Sequence, residues 1–275
     1  MEFENLVLEK RDGIARLTMN RPEKRNALSP ELLRDLTTAL DDVEADHDLR
    51  VVILTGSGSA FSSGFDLSPG REPPSLPETA YWEATHAAPR TLLRLWYLRQ
   101  PTIAAVNGAA IAAGNVLALA CDIVVASDQA QFAEPEIRHV AHSPALLLPF
   151  LTAAKPARWF YYTGDPLDAA TAEKLNLVNT VVPHEQLQDT AWRMAERIAQ
   201  VPPFAAQMMK RSLLGAYDAM GFRDAFEQHL MVRMVEGLTP EVPEREALNE
   251  IRKALGLRAF LEARDGPFRQ ERGPG

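Results

Sequence analysis

Two short apolar runs constrain this chain more than anything else in it. Val51 to Leu54 and Thr102 to Val106 are continuous and apolar, the first ending in Thr55-Gly56 and the second in Asn107-Gly108. A strand without polar alternation needs cover on both faces, which is the pattern of a buried, parallel sheet. After the second run, Ala112 to Ala120 is small, apolar and too long for a central strand, and Ile123 to Ala126 returns to strand composition. Strand, helix and strand in that order predict a βαβ unit and, by repetition, a doubly covered α/β sheet.

The flanking segments fit this centre. In LVLEKRDGIARLTM, Asp12-Gly13 stands between two strand-like runs and predicts a hairpin, because both residues tolerate the positive φ of a tight turn. Ser29-Pro30 precedes Leu32, Leu33, Leu36, Leu40 and Val43 at helical spacing, with Ser29 as N-cap and Pro30 at the first helical position. Between the buried strands, Leu67 to Leu92 carries Pro69, Pro73, Pro74 and Pro77 and is expected to form a mobile surface loop or lid. From Ala154 onward the chain reads as helices and connections with a short strand at Leu177 to Val182. From Leu187 to Phe260 it is almost entirely helical, a C-terminal helical appendage.

Composition narrows the function classes. The 275 residues are 46% hydrophobic and 24% charged, which suits a globular chain with a substantial core. The net charge is −8, with Lys and Arg scattered, so an electrostatic grip on nucleic acid or anionic lipid is not expected. Cys121 is the one cysteine and forms no intrachain disulfide. Neither a basic-then-apolar leader nor a span of about 18 apolar residues occurs. The expectation is a reduced, cytoplasmic, soluble protein.

Two segments can carry chemistry. Ala60-Phe61-Ser62-Ser63-Gly64-Phe65-Asp66 directly follows a strand, and Gly64 among small residues lets the backbone turn sharply and present free N–H groups. Asn107 to Gly114 turns a strand end into a helix start, where unpaired N–H donors and the positive dipole end lie. Either segment alone can equally serve to pack a helix closely on a sheet. Together, two backbone donors converging at the C-terminal ends of neighbouring parallel strands meet the requirement of an oxyanion hole.

The order NRPEKRNALSPELL, AFSSGFDL, AAVNGAAIAAGNVLALACDIVVAS and AQFAEPEI resembles the crotonase superfamily, the enoyl-CoA hydratase/isomerase family. TGDPLDAATAEKLNLVNTVVP and GLRAFLEARDGPF look like its later landmarks, so the resemblance spans essentially the whole chain. It implies an α/β crotonase-like fold of repeated ββα units in residues 1–186. Residues 187–275 would be a helical region for trimerisation and for closing the acyl-CoA site. It implies a coenzyme A thioester as substrate, no separate cofactor or metal, and a homotrimer or hexamer.

Carried over residue by residue, the oxyanion hole would be the N–H groups of Phe65 and Ala113. The acid/base would be Glu136. The family's other glutamate falls on Val116, which can neither accept nor deliver a proton. Glu134, His139 and His142 are candidate auxiliary acids or bases, since IRHVAHSPALLLP replaces a commonly glycine-rich turn. Either histidine can equally serve only to hydrogen-bond a backbone carbonyl. Lys24, Arg25 and Ala27 occupy the adenine and phosphate region, Phe260 matches an aromatic position of the C-terminal helix, and Ser63, Asp66, Leu67 and Val116 complete the substrate-binding set. Trp82 and Trp96 flank the proline-rich stretch and could line an acyl tunnel, but aromatics at such positions are more often ordinary core.

Because one carboxylate can remove a proton at one carbon and return it at another, a double-bond shift suits these residues better than two-glutamate hydration. Hydration through Glu136 with help from Glu134 or a histidine stays open. So do hydrolytic carbon–carbon cleavage of a diketone by histidine and carboxylate, and a catalytically silent acyl-CoA-binding protein.

Overall fold

A computed structural model describes residues 3–68, 78–240 and 242–269 of the chain, with residues 78–85 described by backbone alone. The predicted hairpin is present: β1 (Leu6–Arg11) and β2 (Ile14–Met19) pair antiparallel around Asp12 and Gly13, both at positive φ. Helix α1 (Pro30–Ala45) follows, with the Ser29 hydroxyl accepting from the Leu32 N–H. The two apolar runs become β3 (Val51–Gly56) and β5 (Thr102–Val106), parallel neighbours in one sheet. Each is followed at once by a three-residue strand, β4 (Ala60–Ser62) and β6 (Ala109–Ile111).

Between β4 and β5 lies a departure from expectation. Helix α2 (Glu78–Tyr97) occupies the second half of the stretch predicted as a loop, while Pro69, Pro73, Pro74 and Pro77 lie outside the described residues. The prolines end where the helix starts, and Leu92, Leu93, Leu95 and Trp96 on it are buried, so burial of this face overrides the one interior proline, Pro89. Trp96 stacks on Phe222 at 4.7 Å between ring centroids and belongs to the core; the Trp82 side chain is outside the described residues.

The pattern continues through α3 (Ala113–Leu119), β7 (Ile123–Ser127), β8 (Gln131–Ala133) and a 3-10 turn over Pro135–His139. Then come α4 (Leu148–Leu151), α5 (Ala154–Thr163), β9 (Leu167–Asp168), α6 (Ala169–Lys174), β10 (Thr180–Val182) and the helices α7 (Leu187–Ala199), α8 (Pro203–Ala219), α9 (Phe222–Leu238) and α10 (Pro243–Asp265). The large sheet runs β1-β2-β3-β5-β7-β10 and the small one β4-β6-β8-β9. The pairs β3–β4, β5–β6 and β7–β8 therefore each give one strand to each sheet, which is the expected ββα repeat, while β1 and β2 both stay in the large sheet. Strand alternation explains the double cover: Val51, Ile53, Ile103 and Ala105 meet Leu187, Ala191 and Ala195 of α7, while Val52, Leu54, Ala104 and Val106 face the main core.

Helix α7, the first helix of the expected C-terminal region, thus lies on the sheet. Beyond it, α9 packs on α2, and α10 packs on the 3-10 turn. A break at Gly256, whose φ is +82°, divides α10. No helix among the described residues is long and apolar enough to cross a membrane.

Candidate active site

The site begins with two buried asparagines that hold the β3–β4 turn. Asn26 donates through Nδ2 to the Ser57 and Ala60 carbonyls at 2.9 and 2.8 Å and accepts from the Arg21 N–H at 2.9 Å. Asn107 donates to the Gly58 carbonyl at 2.9 Å and accepts from the Gly56 N–H at 3.3 Å. Sequence reasoning missed both as site builders, although Asn107-Gly108 marks the strand end. The glycines are needed for close approach: a Cβ on Gly114 would lie 2.5 Å from the Ser62 carbonyl oxygen, and one on Gly108 would lie 2.2 Å from that of Ser59.

This packing brings the two expected amides together. Gly64 has φ +84°, and a Cβ on it would lie 3.3 Å from the Ala113 nitrogen, so the peptide leading to Phe65 adjoins the start of α3. Leu28 bridges to this segment through the Gly64 carbonyl and the Asp66 N–H, which leaves the Phe65 N–H pointing to the other side. Ala113 opens α3, so its N–H has no acceptor within the helix. Just before it, Ala112 adopts φ 57° and ψ −126°, a conformation that costs a non-glycine residue on the order of 1–3 kcal/mol and that turns β6 directly into α3.

The carboxylates arrive on the neighbouring strand. The Ala112 N–H donates to the Ala133 carbonyl at 2.7 Å, so Glu134 and the 3-10 turn it precedes, which carries Glu136, leave β8 beside the α3 N-terminus. Glu134 is buried, and its Oε1 accepts from Asn115 Nδ2 at 2.7 Å. Burial holds the Glu134 carboxyl well above the usual carboxylate range, with the charge of Glu136 adding to the effect. Burial also raises Glu136 to about 7, against hydrogen bonding and the pull of Arg264 and Arg233. One oxygen of each, Oε2, is buried without a partner among the described residues. Val116 is buried in the hydrophobic core one residue from Asn115 and supplies no acid or base.

The two expected histidines diverge. His139 lies edge-on to Phe260 at 5.6 Å, and burial pushes it down to about 4, so it is neutral at physiological pH. His142 hydrogen-bonds the Glu236 carboxylate of α9, which raises its pKa. The histidine that does bond a backbone carbonyl is one that sequence reasoning missed: His229 Nε2 meets the Ser143 oxygen at 2.7 Å. Between the two expected histidines, Val140 takes φ 57°, a strained position for a β-branched residue where a glycine would be free.

The expected coenzyme-binding residues also converge. Arg21 donates to the Ala27 carbonyl at 2.5 Å and to Asp66 at 3.0 Å. The Ser63 N–H donates to the Arg25 carbonyl at 3.0 Å, and the Ser63 hydroxyl reaches the Lys24 carbonyl at 3.4 Å. Lys24 and Arg25 keep exposed side chains. Arg252 of α10 donates to the Leu67 carbonyl at 2.9 Å, and its guanidinium lies 5.8 Å from the Phe260 ring, as does that of Arg264. Phe260 itself is buried against the turn. Cys121 is buried, which pushes its thiol up to about 12 and leaves it inert. A cavity of about 580 Å³ opens elsewhere, beside α1, α2 and α9, but its Arg90, Arg94 and Arg223 are already paired with acidic neighbours.

Paired sheets built from ββα repeats carry, side by side, two adjoining backbone amides and a buried carboxyl raised to about 7. The chain belongs to the enoyl-CoA hydratase/isomerase family, whose sequence profile matches residues 9–271. A Thermus thermophilus protein bearing the provisional name enoyl-CoA hydratase is 36% identical over 265 residues, 96% of this chain and 100% of that protein. The short-chain-enoyl-CoA hydratase of Clostridium acetobutylicum is 33% identical over 218 residues, 78% of this chain and 82% of the relative. The crystal structure of an enoyl-CoA hydratase/isomerase from Xanthobacter autotrophicus Py2 superposes with a TM-score of 0.91 at 34% identity, covering 100% of both chains. A monofunctional enoyl-CoA isomerase from Mycobacterium smegmatis superposes with a TM-score of 0.64 at 33% identity, covering 78% of this chain and 94% of that one.

Proposed function

We propose that the protein binds an acyl-CoA thioester with its carbonyl oxygen at the Phe65 and Ala113 amides. Loss of a proton from the α- or γ-carbon then places charge on that oxygen as an enolate or dienolate. Glu136 is the group that moves the proton. The observation that carries this reading is the Glu136 carboxyl, buried, raised to about 7 and keeping one oxygen unpartnered beside the α3 N-terminus. A carboxyl of that pKa exchanges protons readily in either direction at neutral pH. A single carboxylate suffices to shift a double bond between the 2-enoyl and 3-enoyl thioesters, and relatives of this chain carry both hydratase and isomerase names.

The coenzyme is assigned to the surface formed by Lys24, Arg25, Ala27, Ser63, Asp66 and Leu67, with Phe260 closing it from α10. Carbon–carbon hydrolysis of a diketone is disfavoured, because His142 is engaged by Glu236 and His139 is a weak base against Phe260. Assembly is proposed as a homotrimer or hexamer, supported by Phe204, Met209 and Leu213 exposed on α8 and Val235 on α9. The cytoplasm is the proposed compartment, consistent with a single buried free thiol.

The test is α-proton exchange in heavy water, followed by NMR on a saturated acyl-CoA. Exchange and 3-enoyl to 2-enoyl interconversion are expected. No exchange with short, medium and aromatic acyl chains would remove the enolate reading and favour a silent binding protein.

A further inference from the structure

The turn after β8 also carries an imidazole that the proton shift does not use. In a 3-10 turn, residues three apart stand eclipsed, one above the other at about 6 Å. Glu136 and His139 are three apart in the turn Pro135–His139, so the imidazole stands on the face that carries Glu136. Arg138 points elsewhere, to the Thr163 carbonyl at 2.8 Å and to Asp165 at 2.7 Å. The ring is held in place. Phe260 of α10 lies edge-on to it at 5.6 Å, the Ala141 N–H closes the turn on the Glu136 carbonyl at 3.1 Å, and Val140, the next residue, keeps its strained φ of 57°. Strain of this kind persists where surrounding contacts over-determine the backbone, and it clusters at ligand sites.

Yet His139 Nδ1 is buried without a partner among the described residues, and so are Asn115 Oδ1, Glu134 Oε2 and Glu136 Oε2. These atoms sit on adjoining side chains: Asn115 bonds Glu134, Glu134 senses the charge of Glu136, and His139 stands over Glu136. Moving one proton occupies Glu136. A hydrocarbon chain would leave the other three atoms bare, whereas buried polar groups are normally satisfied. The site therefore suits an acyl group with a hydrogen-bonding atom of its own. An anionic group suits it less, because Arg264 is held by both Asp265 oxygens at 2.9 and 2.8 Å and Arg252 by the Leu67 carbonyl at 2.9 Å. Burial keeps the imidazole neutral, so it offers one donor and one acceptor nitrogen, the match for a hydroxyl or a carbonyl.

We propose that His139 determines substrate specificity: its imidazole hydrogen-bonds a hydroxyl or carbonyl oxygen on the acyl chain, so that this site takes oxygenated acyl-CoA thioesters in preference to plain hydrocarbon ones. The inference deepens the enolate reading above and rests on it. With the thioester oxygen at the Phe65 and Ala113 amides and the α-carbon at Glu136, the His139 ring meets the chain beyond the reacting carbons. The chemistry at Glu136 is unchanged. What His139 adds is discrimination, because a chain without the oxygen leaves the buried nitrogen unpaired.

The experiment measures proton exchange at C2 in heavy water by NMR, on the full chain, with hexanoyl-CoA and with its 5-oxo and 6-hydroxy analogues. At least one oxygenated thioester is expected to exceed hexanoyl-CoA in kcat/KM by about tenfold or more. His139→Leu, which has similar bulk and no polar atom, is expected to bring that ratio to within about twofold of one. His139→Gln keeps a donor and an acceptor and is expected to restore part of the preference. A merely structural role, or pairing with an amide of the coenzyme arm that all three thioesters share, would lower every rate alike and leave the ratio standing. That result in a folded His139→Leu protein would overturn the proposal. So would a wild type whose three kcat/KM values agree within about twofold, a result that needs no variant to fold. Exchange on none of the three overturns the enolate reading itself, so the two failures are told apart.

Discussion

Glu136→Gln is expected to inactivate the enzyme and to stabilise its fold, and the size of the second effect follows from the site. Burial raises this carboxyl from 4.5 to about 7. The folded state therefore keeps the proton where the unfolded chain has lost it. The sign follows: stability falls as the pH rises from about 4.5 to about 7 and is level above, where both states are ionised. At about 1.4 kcal/mol for each pH unit, the full decline is about 3 kcal/mol. Glutamine occupies the same volume without a charge, so the variant escapes the decline. The assay is urea unfolding of both proteins at pH 5 and pH 8.5, at matched protein concentration because assembly contributes to apparent stability. The variant is expected to gain up to about 3 kcal/mol on wild type between the two pH values, while turnover nearly vanishes and acyl-CoA affinity stays within about tenfold. Parallel stability–pH behaviour in the two proteins would refute the buried-charge argument, and full turnover in the variant would remove Glu136 from its role.

Two further outcomes test the scaffold and the assembly. Gly114→Ala would set a Cβ 2.5 Å from the Ser62 carbonyl oxygen and 2.8 Å from the Ser62 Cβ, so α3 must move away from β4. A loss of about 1–3 kcal/mol in denaturant unfolding, with a larger loss of activity as the Ala113 amide shifts, is expected. The exposed apolar side chains of α8 and α9 are expected to be covered by other copies of this chain, giving a trimer or a multiple of it in sedimentation at micromolar concentration. A clean monomer would contradict that expectation.

Much of this fold is written locally. The β1–β2 hairpin, the Ser29 cap, the buried strands β3, β5 and β7 and the helix starting at Ala113 follow from turn chemistry, capping and unbroken apolar runs, all of which act within a few residues. The glycines and small residues of the two loops were legible for the same reason, whereas Glu136 stood out only through the family resemblance. The order of these segments was enough to show a family resemblance.

What the chain does not display locally is decided by packing between distant segments. Strands β4, β6 and β8 are three residues long, too short for any periodicity, and exist because the second sheet pairs them across some 50 and 20 residues of sequence. Helix α2 forms within a stretch that reads as loop because its apolar face closes the core. The charge states of Glu134 and Glu136 and the neutrality of His139 come from burial, which no sequence window reports. Asn26, Asn107 and Asn115 read as ordinary polar residues until the fold sets each beside the carbonyl or carboxyl it binds. Residue type supplies the chemistry of this site; only the tertiary structure buries those groups and sets the distances at which they act on one another.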